Sequence, residues 1–262
     1  MSAQSHCATP PEFPRSAKYD REFISENSSS GSNALWLVEW LCEKLRLRPG
    51  LRVLDLGCGD ARSSLLMAKE FGVEVWAVDL HRDPDLNHAL VQRNGVADRV
   101  FPLAIDARHL PFPRAFFDVV VSVDAYYYFG SDDFYAKHIA KLIKPDGYLG
   151  LVGGGLHAEW PSLDAIPIHL KNWWVPDHWA MHSGPWWADH LDRSGCYDIE
   201  TVDDMQDGWK HWLAWQRWAY PDNSREINAL EADAGRHLGY WRVIARRNDC
   251  HQDFTSWNPY CS

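Results

Sequence analysis

The chain has no basic excess, no C-x-x-C pair, no internal repeat and no apolar block long enough to cross a bilayer. Each absence removes a class of function. With 26 Lys and Arg against 36 Asp and Glu, the net charge of -10 argues against a nucleic-acid partner, which needs a basic footprint. Cys7, Cys42, Cys58, Cys196, Cys250 and Cys261 are scattered, so neither a zinc ribbon nor a redox pair is indicated. Without an apolar block there is no spanning helix, and the polar N-terminal residues do not read as a leader. No membrane partner is expected, and the cytoplasm is the expected location. What remains is 262 residues with 46% hydrophobic content, enough for one domain with a sizeable core.

The run Val53-Leu54-Asp55-Leu56-Gly57-Cys58-Gly59-Asp60-Ala61 carries most information. It reads as a buried strand entering a glycine turn, where the backbone can bend tightly and approach a ligand. A helix opening near Ala61 presents free backbone N–H groups to that ligand. Twenty-two residues after Gly57, Val75-Trp76-Ala77-Val78 ends in Asp79, in the position of a ribose-hydroxyl acceptor. A dinucleotide site and an S-adenosylmethionine (SAM) site both fit a glycine turn followed by an acid. A dinucleotide site wants a third glycine where Arg62 stands. It also disfavours a carboxylate such as Asp55 beside a diphosphate, whereas Asp55 suits an ammonium group, directly or through water.

This segment resembles motif I of class I SAM-dependent methyltransferases, with Ala61 in place of the last glycine. Phe101 to Ala107 is similar to the third-strand end of that family, where an acid, here Asp106 next to Ala107, meets the adenine amino group. Phe117 to Asp124 resembles the fourth strand, which runs beneath the methyl donor. Ile143-Lys144-Pro145-Asp146-Gly147-Tyr148 resembles the turn before the fifth. The resemblance covers roughly residues 50 to 153. It implies SAM as cofactor, held by Asp55, Gly57, Cys58, Gly59, Asp79, Leu80, Asp106, Ala107 and Asp124. The implied fold is an α/β Rossmann-like class I methyltransferase sheet, mostly parallel with the last strand antiparallel.

The pattern predicts strands near 52–56, 74–79, 100–104, 116–123, 147–153, 197–202 and 240–245. Helices are expected near 33–45, 61–71, 84–94, 132–142, 185–194, 209–218 and 224–237. Residues 1–32 read as loop-like, with a short turn between Tyr19 and Phe23, residues 33–247 as the catalytic domain, and 248–262 as a tail. Within the domain, residues 154–182 form a cap or lid insertion. Nine of the fifteen Trp residues fall between Trp173 and Trp218. Trp209, Trp212 and Trp215 have helical spacing, so each is more readily core than pocket; the cluster as a whole is expected to lend a ring or two to the acceptor site.

Along most of its length after residue 33 the chain also resembles a group of bacterial small-molecule methyltransferases. The shared segments are Asp124 to Gly130, His182 to Trp187 and Asp207-Gly208-Trp209. From them, Tyr128, Trp186 and Trp209 are expected to contact a small-molecule methyl acceptor, with Tyr19 and Asn33 upstream. Tyr127 is the expected orienting hydroxyl and His182 the expected base, since imidazole titrates near neutrality. His178 and His182 are four apart, but Pro176 interrupts a regular helix, and no metal is expected. The leading function is methyl transfer to a small nucleophile, an amine nitrogen slightly ahead of oxygen or sulfur. The alternatives are a protein using SAM structurally for another reaction and a noncatalytic SAM-binding subunit.

Overall fold

The computed structural model describes residues 9–19 and 31–248. Seven strands form one sheet in the order β3-β2-β1-β4-β5-β7-β6. They are β1 (Arg52–Leu56), β2 (Glu74–Asp79), β3 (Val100–Ala104), β4 (Phe117–Val123), β5 (Ile143–Leu156), β6 (Tyr197–Asp204) and β7 (Leu238–Arg247). The first five pair in parallel, while β7 inserts antiparallel between β5 and β6. The expected mixed sheet is therefore present. β1 and β4 are apolar nearly throughout because both of their faces are covered, as central parallel strands require.

Helices α1 (Ala34–Cys42), α2 (Arg62–Phe71), α3 (Pro84–Arg93), α4 (Tyr135–Leu142), α5 (Gly184–Arg193), α6 (Gly208–Ala219) and α7 (Ser224–Asp233) connect the strands. One core lies under α1, α2 and α6, the other under α4 and α5. Asn33 caps α1 by accepting from the N–H groups of Leu35 and Trp36. The last helix stops at Asp233 instead of reaching His237, because Ala234 (φ 50°) and Gly235 (φ 74°) turn left-handed.

The segment before α1 is more than loop. Phe13 is buried and stacks on Trp36 at 5.9 Å, and a 3-10 turn spans Ser16–Tyr19. Ser16 is buried on the carboxylate of Glu39, which accepts from its backbone N–H and its hydroxyl at 2.7 Å each. Residues 20–23 of the expected turn, and most of the expected tail, lie outside the described residues.

β5 is longer than its sequence suggests at both ends. At its start Asp146 sits in the left-handed region (φ 60°), and the ladder with β4 slips between Phe117 and Val119. At its end come three glycines. A Cβ on Gly154 would lie 3.0 Å from the ring of Trp212, and one on Gly155 only 2.4 Å from Trp241 and the His182 carbonyl. The aromatic second half packs directly on bare backbone here. Trp173, Trp187, Trp212 and Trp215 are buried, so for these rings the core role holds. The segment 157–183 wraps over this end through 3-10 turns at Leu163–Ala165 and Pro176–Ala180.

Candidate active site

The strand order reverses between β1 and β4, and loops from neighbouring strands part there to leave a crevice. A cleft of about 550 Å3 opens at this point. That size suits one small cofactor. Its floor is the glycine turn after β1, its sides are the ends of β2, β3 and β4, and Ser32 and Ala34 close it from the start of α1.

Gly57 and Gly59 both have positive φ (71° and 53°). A Cβ on Gly57 would lie 2.4 Å from that of Ala125, so only glycine lets the turn pass beneath the end of β4. The turn is held from two sides. Asp79 Oδ2 accepts from Gly59 N at 3.0 Å, and Asn87 of α3 donates to Gly59 O at 2.9 Å. Asp79 Oδ1 meanwhile accepts from the N–H groups of His81 (2.8 Å) and Arg82 (3.1 Å). A carboxylate offers about four acceptor sites, so Asp79 Oδ2 retains capacity for one further donor, such as a ribose hydroxyl.

Asp106 stands at the β3 side of the cleft. Arg108 forks onto both of its oxygens, the shortest contact being 2.8 Å, and this holds its carboxyl down at about 2. Leu80, Ile105 and Ala107 line an apolar wall suited to a flat ring, with Leu80 half exposed although it is a large apolar residue. Burial pushes the thiol of Cys58 well up, so it lines the floor as an inert thiol rather than a nucleophile.

At the β4 end Asp124 adopts a left-handed conformation (φ 54°). Its carboxylate clamps two segments, accepting from Ser32 N and from Gly154 N at 3.0 Å each. Tyr128 and Phe129 line the cleft beside it. Tyr127 is half buried against the ring of Tyr128, centroids 4.5 Å apart, and does not line the cleft. Burial, with the neighbouring carboxylate, pushes its phenol well above the usual range, so it can donate a hydrogen bond but not act as a base.

Of the expected cofactor residues, Gly57, Cys58, Gly59, Asp79, Leu80, Asp106, Ala107 and Asp124 line the cleft. Asp55 does not. It lies fully buried beneath the turn, where Ser63 and Ser64 of α2 donate to its Oδ2 at 2.6 Å each. Its Oδ1 has no hydrogen-bond partner among the described residues, and burial pushes the carboxyl up to about 6. Asp55 acts on the cleft through the position of α2 and through its field, because the turn separates it from any ligand.

Among the expected acceptor contacts, Tyr128 lines the cleft and the others lie elsewhere. The hydroxyl of Tyr19 donates to Glu70 at 2.6 Å, at the far end of α2. Asn33 spends its side-chain oxygen on the α1 cap. Trp209 packs against the backbone of Gly235. Trp186 stacks on His182, ring centroids 3.5 Å apart, and His182 Nδ1 is 2.9 Å from Glu159 Oε2. Glu159 also accepts from Ser183 N, so His182 and Trp186 form part of the start of α5 and not of the cleft wall. His182, expected as the base, therefore stands outside the cleft lining, beside Trp186 at the start of α5. Sequence reasoning missed Ser32, Asn87 and the Arg108 fork. A polar residue eight after Asp79 was the available signal for Asn87; Ser32 offered none, because its role depends on a contact 92 residues away.

SAM carries a positive sulfonium and an ammonium group beside one carboxylate. The donor set fits it: Asp79, Asp106 and Asp124 line the cleft, with Asp55 buried beneath. An open acceptor site on Asp79 and an apolar wall complete the match.

Residues 53–147 match the family model described as a methyltransferase domain. The chain is 30% identical over 173 residues to the 2-methyl-6-phytyl-1,4-hydroquinone methyltransferase of Synechocystis, covering 60% of this chain and 50% of that protein. The chain spans about half the length, or less, of the curated relatives it matches. Two solved structures share the fold. A geranyl diphosphate C-methyltransferase from Streptomyces coelicolor, with Mg2+, geranyl diphosphate and S-adenosyl-L-homocysteine, gives a TM-score of 0.66 at 17% identity, covering 80% of this chain and 76% of that one. A phosphoethanolamine N-methyltransferase 2 from Haemonchus contortus, with phosphomonomethylethanolamine and S-adenosylhomocysteine, gives 0.68 at 19% identity, covering 95% and 61%.

Proposed function

The chain carries a class I SAM-dependent methyltransferase domain, and from that premise we propose that it transfers a methyl group to a small-molecule amine. The carrying observation is the cleft at the strand-order reversal, where a strained glycine turn meets Asp79 and the clamped Asp124. When bound, SAM supplies a methyl group on a cationic sulfur that departs as a neutral thioether. The protein's share of the work is to bind, align and exclude water. Asp79 would hold a ribose hydroxyl at Oδ2, and the wall of Leu80, Ile105 and Ala107 would hold the adenine. The turn from Gly57 to Gly59 would meet the methionine end.

The acceptor would enter beside Tyr128 and Phe129. Negative charge gathers on that side: Asp124 and Asp177 both act on Tyr128, and Asp124 helps burial raise Glu226. Such a field attracts an ammonium compound, whose free-base form then attacks the methyl carbon. Tyr128, which lines the cleft, would orient the amine by accepting from one of its N–H groups, leaving the nitrogen lone pair free to attack the methyl carbon. For such an acceptor kcat/KM rises with pH towards the pKa of the amine.

The test is S-adenosylhomocysteine release from the SAM-loaded protein against a panel of small amines, phenols, thiols and carboxylates. Ethanolamine phosphates, hydroquinones and prenyl diphosphates belong in it, given the acceptors named for the relatives and neighbours. Turnover confined to amines supports the reading. Turnover confined to phenols or thiols overturns the acceptor class. SAM binding with no release across the panel would favour a non-transferring use of the cofactor.

A further inference from the structure

On the far side of the cap, three residues that the cleft does not use converge. They are His169, in the 157–183 segment, and Asp233 and His237, which flank the turn between α7 and β7. One ligand atom from each lies within 4.8 Å of the other two. Asp233 Oδ1 is the hub, 2.7 Å from His237 Nδ1 and 3.0 Å from His169 Nε2. Asp233 and His237 are four apart, but α7 ends between them. The left-handed pair Ala234 and Gly235 swings His237 back over the carboxylate.

We propose that His169, Asp233 and His237 bind a divalent transition metal, zinc by preference, and that the ion fastens the cap segment to the α7–β7 junction. Two imidazoles and one carboxylate make a zinc-type donor set, whereas calcium and magnesium favour oxygen alone. Ligands about 2.0–2.1 Å from a tetrahedral ion stand roughly 3.3 Å apart. To admit it, the two nitrogens draw back from Asp233 by about 0.3–0.6 Å and settle about 3.3 Å from each other, starting from a separation within 4.8 Å, and water completes the tetrahedron.

The surroundings already orient the carboxylate as an outer shell would. Asp233 is fully buried, and its other oxygen accepts from His237 N (2.9 Å) and Leu238 N (3.0 Å). His169 and His237 are partly exposed, which gives an ion a way in. Arg236 Nη2, 3.5 Å from His169 Nε2, is the adverse neighbour. Its guanidinium also donates to the Asp233 and Ala232 carbonyls at the end of α7, and an ion would have to displace it from His169 Nε2 while those two bonds hold it nearby.

The experiment is calorimetric titration of zinc chloride into the full chain after chelation and dialysis, with cobalt(II) absorption as a second readout. One equivalent should bind, with the visible bands of a tetrahedral nitrogen–oxygen site, and the melting temperature should rise with zinc. His169→Gln and His237→Gln should each weaken binding at least about tenfold and abolish the thermal shift. SAM affinity in the same variants reports whether they remain folded. No saturable uptake by the wild-type chain, or uptake that both substitutions leave unchanged, overturns the site and leaves the trio as a metal-free hydrogen-bonded cluster.

Discussion

The two halves of this sheet solve the same problem, fixing polar groups at strand ends, in opposite ways. In the half built from β1 to β4, carboxylates hold backbone: Asp79 takes three N–H groups and Asp124 takes two. In the half beyond β5, carboxylates hold histidine side chains as well, most of them distant in sequence. His157 pairs with Asp204 at 2.7 Å, His182 with Glu159 at 2.9 Å, and His169 and His237 with Asp233. In the first half the bonds fix the backbone of the cleft itself; in the second they fasten side chains of the 157–183 segment and of the strand ends to one another.

The largest effect that would sharpen this comparison comes from the turn. Gly57→Ala adds a Cβ 2.4 Å from Ala125 at a φ of 71°. Left-handed strain and overpacking together should cost about 2–5 kcal/mol of stability and abolish SAM binding. Thermal melting and calorimetry check it. A variant that melts like wild type would mean β4 yields at Ala125 and the cleft is softer than argued.

Next in size is Asp79→Asn, which keeps the shape but removes the charge. SAM affinity should fall by about 1–3 kcal/mol, and melting should fall too, because the new NH2 must face either the Gly59 N–H or the His81 and Arg82 N–H groups. Asp79→Ala should lower both, because the N–H groups of Gly59, His81 and Arg82 lose their acceptor. Equal SAM affinity in wild type and Asp79→Asn would remove Asp79 from the cofactor's contacts.

These two positions also show why one half was legible in the sequence. Gly57, Gly59 and Asp79 reveal themselves because their roles are local: a turn needs glycine, and a strand end needs an acid at a set distance. The strands followed from apolar periodicity, whereas the antiparallel direction of β7 came only from the family resemblance. Asp55 was visible, but its burial was not, since Ser63 and Ser64 could have been any helix face. The places of His182, Trp186 and Trp209 were not legible, because their neighbours, Glu159 and Gly235, are chosen by tertiary packing. The same packing makes Gly153 to Gly155 look like a loose strand end when they are where the Trp-rich core rests on the sheet.

The third prediction sets the halves against each other with pH. Burial lowers His178, in the cap, from 6.5 to about 4, with Arg225 adding to the effect. Its folded form resists protonation, so the cap loses stability as pH falls from 6.5 towards 4. Asp55, beneath the turn, is raised from 3.8 to about 6 by burial. Its folded form takes up a proton more readily than the unfolded chain, so its contribution grows as pH falls through 6 towards 4. Amide exchange at pH 7 and pH 5, corrected for intrinsic rates, should show protection falling in 157–183 relative to β1 and α2. Equal loss in both regions would mean the two unfold as one unit.

A smaller effect is expected of His182→Ala. Removing the ring leaves Glu159 with its Ser183 bond but without its imidazole, and bares one face of Trp186. Stability should fall by about 1 kcal/mol, and kcat should stay within about threefold of wild type. A tenfold fall in kcat at unchanged melting temperature would return His182 to the chemistry and erase the distinction between cap and cleft.

The smallest effect falls on Ala61, where the chain departs from the glycine of motif I. The departure matters through conformation rather than size. Ala61 precedes α2 with φ 55° and is fully buried, so it carries the left-handed penalty that glycine would escape. That penalty is about 1–2 kcal/mol, while glycine's extra freedom in the unfolded chain takes back roughly 0.5–1. Ala61→Gly should therefore leave the protein between unchanged and about 1 kcal/mol more stable. SAM affinity should not move, because the backbone N–H groups at the start of α2 keep their places. Destabilisation beyond about 0.5 kcal/mol would show that the methyl group of Ala61 packs well enough to outweigh its strain. The rigidity of the cleft half would then rest on side-chain packing as much as on carboxylates gripping backbone.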